Sequence, residues 1–149
     1  MRRPLLISTL VLMLAACQTG APSDDPSVVI RITNARPGPL QCRIMFGHWV
    51  DRDLGVTEMG AGNSGGISVT VQQQKKDGAL YIMRDDGERR MMVENIFCAR
   101  EGDWQATVGQ VDLAAVRAVR AREAWISCGL PESGGRVVCT KPKFWALIP

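Results

Sequence analysis

The chain contains a single histidine, His48, within Gly47-His48-Trp49-Val50-Asp51-Arg52-Asp53. An imidazole beside two carboxylates is the one place where ordinary side chains could transfer protons near neutral pH. Two chemistries fit these residue types. One is a hydrolase built on a His–Asp pair at a loop. The other is a metal site that takes His48 with Asp51 or Asp53. A catalytic zinc needs three protein ligands at recognisable spacing, and the chain has no His-Glu-x-x-His. The spacing therefore favours a plainer reading: a half-exposed histidine at a strand end, beside solvated charges. His48, Trp49, Asp51 and Asp53 stand as a candidate surface. Asp85, Asp86 and Glu88 offer oxygens to calcium, but such a loop needs ligands at further positions. Turn chemistry alone accounts for Asp85-Asp86-Gly87. Ser64 sits in Gly62-Asn63-Ser64-Gly65-Gly66. The order is not Gly-x-Ser-x-Gly and a strand is expected next, which removes the nucleophile-elbow context. The Lys-Ser/Thr ending of a phosphate loop is also missing. We therefore expect no enzyme, no cofactor and no metal.

The elements that must carry these residues read as strands and turns. Val28 to Thr33 is β-branched and partly alternating, and Asn34 to Pro39 is a turn cluster. Leu40, Cys42, Ile44 and Phe46 alternate on one face of a second strand running toward Val50. Leu54 to Met59 reads as a short third strand, and Ile67, Val69 and Val71 share a face of a fourth. Ala79 to Arg84 and Arg89 to Phe97 flank the Asp-Gly hairpin loop. Trp104 to Val108 reads as another strand. Asp112 to Arg122 (DLAAVRAVRAR) breaks the pattern as a short helix with Asp112 at its N-cap. Arg117, Arg120 and Arg122 give it a basic, solvated side. Ala124 to Leu130 and Arg136 to Thr140 make a last hairpin, and the apolar Phe144 to Pro149 should pack down. Short strands with regular turns predict a mainly β domain, an antiparallel β-sandwich. Of the four tryptophans, at least two are expected in its core.

The N-terminus is of another kind. Arg2 and Arg3 are followed by an apolar stretch, Pro4 to Leu14, too short to span a bilayer, and together they read as a secretion signal over residues 1–16. Leu14-Ala15-Ala16-Cys17 resembles the lipobox of bacterial lipoproteins. That resemblance implies acylation of the Cys17 sulfur and cleavage before it, with the membrane as partner through several acyl chains. Gln18 rather than Asp follows, which under the enteric sorting rule implies the outer membrane, facing the periplasm. Residues 17–27 are then the lipidated cysteine and a Gly-, Pro- and Ser-containing tether of about 17 Å root-mean-square reach. Residues 28–149 form one domain. Arg2 and Arg3 supply two of the formal +3 charges, so the mature chain carries +1. Beyond Lys75-Lys76 and Arg89-Arg90 no basic run remains for nucleic acid.

With Cys17 committed to lipid, four of the five cysteines remain in an exported chain, which implies two disulfides. Cys128 and Cys139 are equidistant from the centre of the last hairpin and should face each other across it. Cys42 is left to pair with Cys98, in the manner of the bridge between the two sheets of an immunoglobulin-like sandwich, so the architecture is loosely immunoglobulin-like. The function expected is a non-enzymatic envelope module that contacts another envelope protein. Small disulfide-linked lipoproteins that inhibit lysozyme, which are similar in size and tether, are the alternative, although Asp77-Gly78-Ala79-Leu80-Tyr81 is only a faint echo of their Ser-Gly-x-x-Tyr stretch. No Trp-x-Lys-Gly follows it.

Overall fold

Alternation of β-branched residues builds the first strand, β1 (Ser27–Asn34), which buries Val28, Ile30, Ile32 and Asn34 on one side. Each such aliphatic burial contributes about 2 kcal/mol. The computed structural model describes residues 24–60 and 66–149. The signal, Cys17, most of the tether and Ser64 lie outside the described residues. After β1 come β2 (Leu40–Phe46), β3 (Asp51–Thr57), β4 (Ile67–Gln73), β5 (Leu80–Met83) and β6 (Arg90–Arg100). A one-turn helix α1 (Trp104–Thr107), β7 (Gly109–Gln110) and α2 (Leu113–Ala118) follow. The chain closes with β8 (Ala121–Gly129), β9 (Val138–Cys139) and β10 (Lys143–Leu147).

The strands form one path, β10-β8-β1-β4-β5-β6-β2-β3, with β7 on β6 and β9 on β8. The long β6 serves two groups. Its first residues pair with β5, as in Tyr81↔Met92, and the rest pair with β2, from Phe46↔Val93 to Leu40↔Arg100. The register of β2 against β6 shifts between Met45 and Phe46, where the sheet passes from one group to the other. One core joins both groups, with Ile30, Ile32 and Val71 meeting Ile44, Ile96 and Leu80. The mainly β, sandwich-like fold is as expected, with one difference. β1 and β8 run parallel, Val29↔Glu123 through Asn34↔Cys128, so the sheet is mixed rather than wholly antiparallel. A parallel neighbour needs a long crossover, and the chain between β1 and β8 supplies it.

Both expected disulfides are present. Cys42 bonds Cys98, and Cys128 bonds Cys139, each with a Cα–Cα separation of 4.1 Å. Cys128 and Cys139 face each other across β8 and β9 as the hairpin geometry required. The Cys42–Cys98 bond does not join two sheets, however. It links directly opposed residues of neighbouring strands β2 and β6, so the immunoglobulin analogy fails at its central bridge. From loop lengths alone the two bonds contribute about 4 and about 3 kcal/mol.

Three further expectations are corrected. Trp104 to Val108 is not a strand. After β6 the chain must reverse to lay β7 back on Phe97 and Cys98, and α1 makes that reversal, with Val108 N–H donating to Trp104 O at 3.0 Å. The helix expected over 112–122 stops at Ala118, and residues 121 and 122 already belong to β8. Its start is as expected, since the Asp112 carboxylate accepts from the N–H groups of Ala114 and Ala115. The C-terminal segment packs down only in part. β10 adds an edge strand to β8, where Phe144 reaches the core while Trp145 and Leu147 stay exposed.

The C-terminal end of α2 carries no glycine cap. Gln73, buried at the end of β4, fills that place. Its side-chain amide donates to the carbonyls of Val116, Arg117 and Val119 at 3.1–3.2 Å. The turn after β4 presses on the same end. Gly78 holds φ +73°, and a Cβ there would lie 2.1 Å from the Arg117 carbonyl oxygen. Gly78→Ala should therefore destabilise the domain by roughly 3 kcal/mol or more, through backbone strain and a main-chain clash together. Gly87 has a similar φ of +70° but open space around its Cβ position, so Gly87→Ala should cost only about 1 kcal/mol. Urea titration of the two variants checks this. Equal losses would mean that the contact with α2 carries no weight.

Candidate binding surface

Successive side chains of β2 alternate between core and surface. Leu40, Cys42, Ile44 and Phe46 go inward, so Gln41, Arg43 and Met45 lie on the outer face. Pairing sets their neighbours. Arg43 stands between Phe97 of β6 and Asp53 of β3, and Met45 between Asn95 and Asp51. α1 then folds over this face. The Arg43 guanidinium lies 4.5 Å from the centre of the Trp104 ring and 3.7 Å from an Asp51 carboxylate oxygen. Stacking on an aromatic face and a neighbouring charge hold the guanidinium in one place. Because both charged side chains remain partly exposed, the pair adds little to stability. Together Arg43, Met45, Asp51, Phe97, Trp104 and Val108 line a groove of about 250 Å³. It is an apolar trough with one cation and one anion on its wall.

The hairpin joining β2 to β3 projects beside this groove. Gly47–Trp49 make a 3-10 turn closed by the Phe46 N–H donating to Val50 O at 2.8 Å. His48 and Trp49 both take left-handed backbone conformations, with φ of 67° and 64°. Two such non-glycine residues in succession store strain of order 1–3 kcal/mol each. The turn holds Trp49 88% and Val50 56% exposed. On the flank, the Arg52 guanidinium lies 5.6 Å from the centre of the Phe46 ring.

The four residues singled out from the sequence are placed close along the chain but do not form a reactive cluster. Asp51 and Asp53 lie on β3 rather than in a loop. Asp51 faces Arg43. The Asp53 carboxylate accepts from Gly55 N–H at 2.9 Å and from Gln41 Nε2 at 3.0 Å, which secures the bulge where β3 slips register against β2. The Gly55 N–H first, and then Gln41 and Arg43, hold the Asp53 carboxyl below its ordinary pKa despite an opposing desolvation effect. Both carboxylates are thus engaged with partners other than His48. Among the described residues, no three His, Cys, Asp or Glu side chains gather as a metal site. Asp86 behaves as the turn reading required, its carboxylate accepting from Glu88 and Arg89 N–H.

Other sequence expectations change in the fold. None of the four tryptophans reaches the buried core. Trp49 and Trp145 are exposed, and Trp104 and Trp125 are half-buried beneath the guanidinium groups of Arg43 and Arg31. Isoleucine, valine and leucine fill the interior instead. The arginines of α2 are not merely solvated. Arg117 donates to the carbonyls of Val93 and Glu94, and Arg120, just after the helix, donates to Lys75 O. The stretch Asp77 to Tyr81 is structural, with Leu80 and Tyr81 fully buried and the Tyr81 hydroxyl donating to Asp25 at 2.7 Å. Asp25 belongs to the expected tether, whose last residues are therefore docked on the domain. Pro26 O also accepts from Gln73 N–H. Sequence reasoning missed Arg43, Met45, Phe97, Trp104 and Val108. The alternation of β2 could have flagged the outward Arg43 and Met45. Trp104 gave no signal once its segment was read as a strand.

Among the described residues, no helix is long and apolar enough to cross a membrane. No protein-family model matches the chain, and no curated protein matches it in sequence.

The Asp53 geometry sets a pH dependence. Its folded carboxyl titrates below the unfolded value of about 3.9, so its stabilisation is complete above that value and is lost as pH falls through the lower folded one. Asp53→Asn keeps an oxygen acceptor for Gly55 but cannot titrate. Its urea midpoint should fall less than that of the native chain between about pH 6 and about pH 2.5. Parallel acid dependence in the two proteins would refute the assignment.

Proposed function

We propose that the chain is a cell-envelope lipoprotein, anchored through Cys17, whose domain is a non-enzymatic binding module for another envelope protein. The resemblance of Leu14-Ala15-Ala16-Cys17 to a lipobox supports the anchor, and Gln18 supports the periplasmic face of the outer membrane. The two disulfides fit an oxidising compartment.

The groove beside Trp104 is the observation that carries the binding reading. Its floor is apolar, and its wall holds a guanidinium already fixed by stacking on an indole. Trp and Arg are the residues that dominate interface energetics when they line a pocket, and fixing them in advance lowers the cost of association. An extended peptide segment with an apolar side chain flanked by polar groups suits this trough. The neighbouring edge strand β3 leaves backbone groups along its free side to extend the contact.

Two measurements test the proposal. Cys17→Ser should abolish incorporation of labelled palmitate and leave the precursor unprocessed. A photo-crosslinking residue at Met45 should capture one envelope protein in cells, and Trp104→Ala should lose that product by about tenfold or more, in keeping with an anchor residue. Capture that is unaffected by Trp104→Ala would overturn the groove as the binding site. Continued acylation of Cys17→Ser would overturn the anchor.

A further inference from the structure

We infer that the Trp49–Val50 tip is a second, apolar membrane contact that lays the domain against the bilayer bearing its lipid anchor. This rests on the lipoprotein reading above. Trp49 is the most exposed large apolar side chain among the described residues, and Val50 beside it is more than half exposed. Strained backbone at His48 and Trp49 holds the indole outward at a hairpin end. An indole is suited to the headgroup level of a bilayer, where its apolar body and polar N–H are both accommodated.

Chain length and register place the tip within reach. Between Cys17 and Asp24 lie seven peptide steps, which span at most about 25 Å. From Ser27 the register runs Ser27↔Gln72, Gln72↔Tyr81, Tyr81↔Met92, and then from the adjoining Val93 to Phe46. Four interstrand spacings of about 4.8 Å make that path about 19 Å along the sheet. Phe46 immediately precedes the tip. Phe46, at the base of the tip, thus lies about 19 Å along the sheet from Ser27, inside the span of about 25 Å open to the tether. One Trp and one Val would bind a bilayer weakly alone, but a short link to an embedded anchor raises their effective concentration to the millimolar range.

The local charges say what kind of surface is met. Arg43 and Arg52 stand near the tip with Asp51, Asp53 and Glu94, a group that carries no excess of positive charge. The contact is thus with the zwitterionic lipid interface and not with anionic headgroups, so neither anionic lipid nor low salt is needed.

The test uses the mature lipidated chain in phosphatidylcholine vesicles, with mass spectrometry of its N-terminal peptide to establish the acyl groups. Lipid brominated on its acyl chains should quench part of the tryptophan emission. Trp49→Phe should remove most of that quenching, and Val50→Asp, which keeps the fluorophore, should weaken it. Urea midpoints should be unchanged in both variants. Equal quenching in the native protein and Trp49→Phe on floated vesicles overturns the inference and leaves the lipoprotein reading intact. So does quenching that appears only when phosphatidylglycerol is added. Absence of acyl groups on Cys17 overturns the lipoprotein reading and the inference with it.

Discussion

Strand β6 belongs to both halves of the sheet, and the candidate surface depends on that sharing. One end pairs with β5 and the other with β2 and β7. Ile96 and Cys98 bury into the common core while Phe97 between them faces the groove. The same strand thus supplies the interior and the floor of the exposed trough. The Cys42–Cys98 bond staples β2 to it next to Arg43. A domain of this length can bury enough apolar area to be stable. The staple adds to that stability at the place where β2 carries the groove.

A second constraint acts through polar side chains. Gln73 of β4 satisfies the carbonyl end of α2, and Arg117 and Arg120 reach from the helix region to carbonyls of β6 and of the β4–β5 connection. A helix of six residues is far too short to be stable by itself. It exists because its apolar residues Leu113 and Val116 join the core, the Asp112 carboxylate accepts from its first N–H groups and Gln73 donates to its last carbonyls. Local propensity marked where the helix starts, because Asp112 is its own cap. It could not mark the end, because the capping group comes from a strand 43 to 46 residues earlier in the chain.

The chemistry of the His48 segment follows the same logic. A carboxylate can serve catalysis or bind metal only when its lone pairs are free to face the reacting group. Here Asp53 secures a bulge and Asp51 faces the guanidinium that stacks on Trp104. What remains conspicuous is shape: a trough with a fixed guanidinium, and an indole held out beside it at the cost of backbone strain. The trough fits the proposed protein contact and the indole the proposed bilayer contact.

By itself the sequence determined the β-rich class, most strand positions, the Asp112 cap, the Asp86 turn and the pairing of the four domain cysteines. These follow from two-residue alternation, turn chemistry and hairpin symmetry, all of which act over a few residues or, for Cys42 and Cys98, follow from elimination. Only the tertiary structure decided that β1 and β8 run parallel and that Cys42–Cys98 lies within one run of strands. It also decided that the tryptophans stay outside the core, and that Arg43 meets Trp104 beneath a helix where alternation had suggested a strand. Those outcomes depend on which distant segments pack together. Side-chain period along a strand records which face is buried, but not which neighbour covers it.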